Sequence, residues 1–485
     1  MRFSRISTLV LVCLYTMGCA AQNSASTEER LARLNRELQD TRSQLNDSLQ
    51  QIEELQKSLE ELRSQVKGKQ ETEVNGTAEP TSAEADQNVT FLAAKINEMH
   101  QDKVESAGKY PVKLSGLVLF NAYTNRGSLD IQDLPNLAFP SFPGSSNGST
   151  GMTLRQTVLG LSAKGPQFFG AQSSADISVD FAGGSPTTSY GVTAGLLRLR
   201  TARVKLDWDR TSVMIGQDAP FFSPLSPTSY ATVLEPAMSW AGNLWVWTPE
   251  IELEHRVPLY EHTSLVMQGG VLDPLTEEYP PFQGRNPTAG EASRYPAIAG
   301  RIALDRSKAD HPLTIGFGAY RARQQYEAFD PITSWTVNTD FRLALIKHLE
   351  LSGEWYRGQA TGGLGGGIWS SVIFSGAAFP HTAVHPLRST GGWAQLKLKA
   401  TPRFEINAAA GQDENFGDSL HFFADPISTM GFPPFQKNRA EFVNFIYTPN
   451  SVLLFSAEYR HLFTVPVNGE GASGDHINLA AGVRF

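Results

Sequence analysis

Cysteine is almost absent. The 485 residues contain two, Cys13 and Cys19, both near the start of the chain. A chain cut after Ala21 would carry none, which excludes disulfides and thiolate metal sites even on an export route that permits disulfides. No run of eighteen or more apolar residues occurs, so no transmembrane helix is expected. Charged residues make up only 19%, less than in most soluble chains. Yet mean hydropathy is −0.25, too polar for a helical membrane protein. Ten histidines are present, but no HExxH spacing or nucleophile motif accompanies them. Gly362 to Gly367 lacks the GxxxxGK[ST] ending and no helix pattern follows, so it reads as a flexible loop tip. Nothing points to a cofactor, a metal or nucleic acid, and no enzyme activity is expected.

What is present begins with Arg2 and Arg5, then an apolar stretch from Ile6 to Met17, then Gly18-Cys19-Ala20-Ala21-Gln22. A basic start, a short apolar core and small residues describe a secretory signal peptide over residues 1–21, with cleavage after Ala21 preferred. Gly18-Cys19 also resembles a lipoprotein processing site, with Thr16 where Leu is usual, so both processing routes stay open.

From Leu31 the apolar residues step by three and four. Leu31, Leu38, Leu45, Ile52, Leu59 and Val66 fall at a; Leu34, Thr41, Ser48, Leu55 and Leu62 fall at d. Without Gly or Pro, this pattern predicts an α-helical coiled coil within residues 22–67, with the polar Thr41 and Ser48 fixing register or chain number. Residues 68–109 read as a linker with a short helix over Phe91 to Met99.

Residues 110–485 change character. About sixteen segments alternate with period two between turn signals, which predicts an all-β domain. Ser334 to Lys347 sends Trp335, Val337, Thr339, Phe341, Leu343 and Leu345 to one face, against Asn338, Asp340 and Arg342. Ser451 to His461 and Asp475 to Phe485 do the same. Alternation fits a soluble sandwich as well as a barrel in lipid, and turn lengths choose between them. Short links at Lys164-Gly165-Pro166, Lys308 to His311, Lys347-His348, Thr401-Pro402 and Thr448 to Asn450 alternate with long ones. The long ones are Asn125 to Gly151, Thr276 to Tyr295, Gly362 to Thr390 and Gly417 to Lys437. One short side and one long side predicts a transmembrane antiparallel β-barrel of about sixteen strands, its turns toward the periplasm. The last alternating strand finishes on Phe485, which resembles the signal read by outer-membrane assembly machinery.

Several local patterns resemble the trimeric sixteen-stranded porins, above all the DcaP-like group with an N-terminal periplasmic coiled coil. They are Lys113-Leu114-Ser115-Gly116, Leu197-Arg198-Leu199-Arg200 to Trp208, Ile215-Gly216-Gln217-Asp218 before a Pro-rich stretch, and Ala457-Glu458-Tyr459-Arg460. The resemblance implies a passive outer-membrane diffusion channel for small hydrophilic solutes, homotrimeric, with outer-membrane lipid as its surroundings. That group is associated with anionic, dicarboxylate-like substrates. A second function class stays open: a barrel that anchors the envelope through its coiled coil, which would lead if the lumen were plugged. An enzyme on the barrel wall would need Ser and His on adjacent outward positions.

Strand phase nominates the lumen charges, because a pore selects by width and by charge at its narrowest section. Arg198, Arg200, Arg301, Arg342, Lys397, Lys399 and Arg460 fall on polar faces, with Glu250, Glu252, Glu254, Asp340, Glu354, Glu405 and Glu458. Asp340/Arg342 and Glu458/Arg460 are expected to pair. Arg198 and Arg200 are the preferred anion site, since the guanidinium fork holds carboxylate and they share one face. Arg203 and Lys205 then occupy the opposite face, as if meeting another subunit. Asp218 to Leu244 is too long and Pro-rich for a turn; Asp218, Phe221, Phe222, Tyr230, Glu235 and Trp240 predict a packed loop folded into the channel as a constriction. Loop acids such as Glu277, Glu278 and Glu291 are set aside as distant from selectivity.

Overall fold

The computed structural model describes residues 111–141, 144, 146–184, 195–278, 286–307, 312–377, 380–429 and 431–485. The expected signal peptide, coiled coil, linker and Phe91–Met99 helix lie outside them, as does the Lys308 to His311 link.

Seventeen strand segments form one closed antiparallel sheet. Two of them, Gly148–Thr153 and Val158–Phe168, both pair with the first strand and make one interrupted strand, so sixteen strands cross the wall. In chain order they are β1 (Val112–Arg126), β2 (those two segments), β3 (Ala171–Asp180), β4 (Arg198–Asp207), β5 (Thr211–Asp218), β6 (Thr248–Tyr260), β7 (Thr263–Leu272) and β8 (Ala297–Arg306). There follow β9 (Leu313–Gln324), β10 (Ile332–Ile346), β11 (Leu349–Gln359), β12 (Arg388–Thr401), β13 (Phe404–Asn415), β14 (Phe435–Tyr447), β15 (Leu453–Pro466) and β16 (Ala472–Arg484).

The sheet closes where β1 meets β16, from Leu117 opposite Arg484 to Arg126 opposite Asp475. Gly116 and Phe485 exchange both backbone hydrogen bonds, at 2.9 and 3.2 Å. A side chain at position 116 would strike the Phe485 ring, its Cβ 2.7 Å from Cζ, so only glycine leaves the closing aromatic its place.

Alternation is visible strand by strand. On β15, Leu453, Phe455, Tyr459 and Phe463 are exposed, while Ser456, Glu458, Arg460 and Thr464 are buried. On β10, Val337 and Leu345 point out, with Ser334, Thr336, Asn338 and Asp340 inside. Greasy side chains therefore coat the outer surface and polar ones the interior, the inverse of a soluble protein and the arrangement hydrocarbon surroundings favour. Phe168, Phe169, Trp208, Tyr260, Tyr447 and Phe485, all exposed, ring the short-turn edge as an aromatic girdle. The Trp208 indole donates to the Phe169 carbonyl at 3.0 Å and fixes part of that rim.

The short and long connections alternate as expected, with one correction. Lys164-Gly165-Pro166 is not a turn but lies inside β2, where the register shifts between Lys164 and Gln167. The chain reverses at Phe169-Gly170, both with positive φ (49° and 80°), the geometry of a type I′ hairpin. A proline tolerated at a bulge looks the same in sequence as a proline in a turn.

Candidate functional site

The interior is organised by residues 219–247, between β5 and β6. Pro220, Pro224, Pro227 and Pro236 deny this segment a strand's hydrogen-bond ladder. Its apolar side chains turn against the inner wall instead. Phe222 is fully buried and stacks on Tyr320 of β9, with ring centroids 5.5 Å apart. Ala237, Met238 and Ala241 pack on Trp393, Ala409, Ala440, Phe442 and Leu462, apolar residues on the inward faces of β12 to β15.

Hydrogen bonds pin the loop around much of the barrel. Asn121 of β1 donates to the Tyr230 carbonyl at 2.8 Å. In the gap of β2, Gln156 donates to the Ala231 carbonyl at 2.7 Å and accepts from the Val233 amide at 2.6 Å. On the far wall Glu354 accepts from the Ser223 hydroxyl and the Leu225 amide, both at 2.7 Å. Gln395 accepts from the Thr228 amide at 2.7 Å, and Asn444 and Asn438 donate to the carbonyls of Thr228 (2.9 Å) and Trp240 (2.8 Å). Glu458 accepts from the Ser229 hydroxyl at 2.5 Å, and Arg484 donates to the Tyr230 hydroxyl at 2.5 Å.

In places the contact is backbone to backbone. Gly242 has φ +99°, and a Cβ there would lie 2.2 Å from the Gly392 nitrogen; a Cβ on Gly411 would lie 2.3 Å from the Ala241 carbonyl oxygen. Gly242→Val should therefore lift the loop off β12 and β13. Limited proteolysis of the folded barrel should then cut within 219–247 faster than in the parent, and an unchanged cleavage rate would refute the close-approach argument.

The nominated residues fall into separate groups. Asp218 ends β5, its carboxylate taking Arg203 at 2.7 Å and the Ala219 amide at 2.8 Å. Phe221 and Phe222 meet edge to face. Glu235 is half-buried and accepts from Asn136 (3.0 Å) and Ser239 (3.3 Å). Burial, opposed by the positive charge of Arg198 and aided by the negative charge of Asp130, raises its carboxyl above the usual range. Trp240 stacks on Trp369 at 5.1 Å.

Arg198 and Arg200 both reach this loop. Arg198 forks onto Asp180 (3.2 and 2.8 Å) and donates to the Leu234 carbonyl, while Arg200 donates to the Val233 carbonyl at 2.7 Å. Both guanidiniums lie over the Trp247 ring, at 5.1 and 4.7 Å. Arg203 and Lys205 are on the same inward face as these two, contrary to the strand phase expected from sequence. A bulge in β4 opposite Ser178 and Val179 inserts one residue, so both parities turn inward. Arg203 accordingly meets Asp176 at 2.9 Å and Asp218 at 2.7 Å.

Asp340 does not pair with Arg342. Arg301 takes it in two-pronged fashion, Nε to Oδ1 at 2.8 Å and a terminal nitrogen to Oδ2 at 2.6 Å. Arg342 lies nearer the short-turn side against Glu350 at 3.5 Å. Glu458 and Arg460 do pair, at 2.8 Å. Lys397 lies 3.7 Å from Glu405, and Lys399 is exposed opposite Glu405 on the neighbouring strand. Glu250, Glu252 and Glu254 form a ladder on the inner face of β6. Glu252 accepts from Gln268 at 2.7 Å and Glu254 from Arg256 at 2.7 Å.

Gly362 to Gly367 is no flexible tip. Gly362, Gly365 and Gly366 are buried, and a Cβ on Gly363 would lie 2.0 Å from the Leu275 carbonyl oxygen. Glu277, set aside as a distant loop acid, is buried in the same region and accepts from the Ser371 amide at 2.6 Å.

No protein-family model and no curated protein matches this chain. Solved structures do match. The outer membrane channel DcaP of Acinetobacter baumannii superposes with a TM-score of 0.60 at 17% identity, over 79% of this chain and 99% of that one. This chain has the fold of that channel. An anion-selective porin from Comamonas acidovorans matches at 0.49 with 12% identity, over 78% of this chain and all of the other. Pseudomonas putida OprB matches at 0.45 with 9% identity, over 81% and 97%.

Proposed function

We propose that this protein is an outer-membrane porin of the DcaP-like kind, a passive channel for small hydrophilic solutes. The observation that carries this reading is the pairing of a greasy outer wall with a charged interior that one long loop crosses. The resemblance adds a homotrimer, recognition by outer-membrane assembly machinery through the strand ending in Phe485, and a periplasmic coiled coil. Self-association has some support from the outer face itself. There Arg439 pairs with Glu441, Lys437 with Glu414 (3.4 Å) and His461 with Asp475 (2.8 Å), a polar patch that a second copy would shield from lipid.

The anionic, dicarboxylate-like preference that the resemblance implies would rest on Arg198 and Arg200. Asp180 and loop carbonyls already occupy much of their donor capacity, which weighs against that preference. The anchoring reading is favoured only by how tightly loop 219–247 binds the wall.

Planar-bilayer recordings separate the two. The purified protein should open in steps grouped in threes, and reversal potentials in asymmetric salt would give the sign of selectivity. Electrically silent protein would overturn the channel and leave the anchor.

A further inference from the structure

Between the inner faces of β4 to β7 and the first residues of the inner loop lies a cavity of about 400 Å³. Its volume falls within the usual range for small-molecule sites. Phe221, Pro220, Pro224 and Met214 supply its apolar lining, and Arg203, Lys205 and the Glu250–Glu254 ladder its charges.

Almost every charge here is already answered. Arg203 is held by Asp176 and Asp218, Lys205 by Asp207 at 2.9 Å, Glu254 by Arg256, and Glu252 by Gln268. Glu250 is the exception. It is 4% exposed, and neither carboxylate oxygen has a hydrogen-bond partner among the described residues. A buried carboxyl group left without donors is costly, and the fold offers it none. Its side chain lines the cavity.

We propose that Glu250 is the anchor of a lumen site for the primary ammonium group of a small organic solute. An ammonium brings three N–H donors and the missing positive charge, and its alkyl part would lie along Phe221 and the prolines. A divalent metal fits less well, because no group of three His, Cys, Asp or Glu among the described residues is placed to hold one. The site rests on the channel reading for its access to solute. It places a cation-favouring station in the same lumen as the arginines of β4.

Butylammonium chloride is the probe, with tetramethylammonium (charge without N–H) and butyrate as comparisons. Binding is measured by calorimetry on the full chain in detergent, separately from current recordings. Butylammonium should bind saturably and reduce the current, with Glu250→Gln about tenfold weaker and Glu470→Gln, on an exposed loop, unchanged. Migration of unheated samples on gels reports whether each variant is folded. Should Glu250→Gln fail to fold, Glu250→Asp keeps the charge with shorter reach and should bind more weakly than the parent. Equal binding by folded Glu250→Gln or Glu250→Asp, or equal binding of tetramethylammonium, would overturn the site. Conductance without ammonium binding would remove the site and leave the channel; binding by an electrically silent protein would do the reverse.

Discussion

Arg301→Leu should lower the unfolding free energy of the barrel by about 3–5 kcal/mol. The side chain sits on β8, 7% exposed, with both prongs on the fully buried Asp340 and a third donor on Gln268 at 2.7 Å. Asp340 lies directly opposite Glu354 across β10 and β11. The arginine thus counters one of two facing carboxyl groups, and its removal leaves Asp340 buried without its cation. Gly316 on β9 makes the pairing possible, since a Cβ there would lie 2.3 Å from Asp340 Oδ1 and 2.7 Å from the guanidinium. Arg301→Leu combined with Asp340→Leu should recover most of the loss, because two apolar groups need no partner. Equilibrium urea unfolding in lipid vesicles, followed by tryptophan fluorescence, measures both. A single variant as stable as the parent would show that water in the lumen already screens the pair.

That ion pair also marks where sequence reasoning stops. Period-two alternation displays strand phase directly, because lipid on one side and water on the other enforce it along every strand. The outward sets of β10, β15 and β16 were legible for that reason, as was the alternation of short turns with long loops. Partners across the barrel were not. Arg301 and Asp340 sit two strands apart and meet only because the intervening strand has a glycine, whereas Asp340 and Arg342 are neighbours in the chain. The bulge in β4 was invisible for a related reason: one extra residue reverses the parity, and nothing in Arg198 to Lys205 announces it.

The loop across the lumen was legible from its prolines and aromatics; what holds it was not. Many of its bonds use backbone carbonyls and amides, which no sequence pattern displays. A usable signal existed in the inward-facing amides, Asn121, Asn338, Asn438 and Asn444 among them. Water alone does not call for so many side chains able to donate and accept at once, whereas an irregular backbone does. Gly391 and Gly411 at inward positions were a second signal, marking wall against which a backbone can lie.

A pH dependence of the long-loop side follows from Glu277. Its carboxylate accepts from the Ser371 amide (2.6 Å), the Ser371 hydroxyl (2.8 Å) and the Thr429 hydroxyl (2.6 Å). One side chain thereby joins the connections between β7 and β8, β11 and β12, and β13 and β14. Burial first, then the neighbouring Glu278, push its carboxyl up from 4.5 to about 7 against the pull of those donors. A carboxyl group whose folded value is raised binds its proton more tightly in the folded state. Its contribution is complete below pH 4.5 and is lost as pH rises through 7, a change on the order of 3 kcal/mol. Asp130, raised by burial to about 6, loses its corresponding contribution between pH 3.8 and 6, below the interval from pH 6 to 8 over which Glu277 titrates. Hydrogen exchange at the Ser371 amide, corrected for the intrinsic pH dependence, should show its opening free energy falling over that interval. Glu277→Gln should flatten the profile, since a neutral amide can accept from Ser371 without titrating. A flat profile in the parent, or a slope that survives in the variant, would mean that the three connections are held together by something other than this carboxyl group.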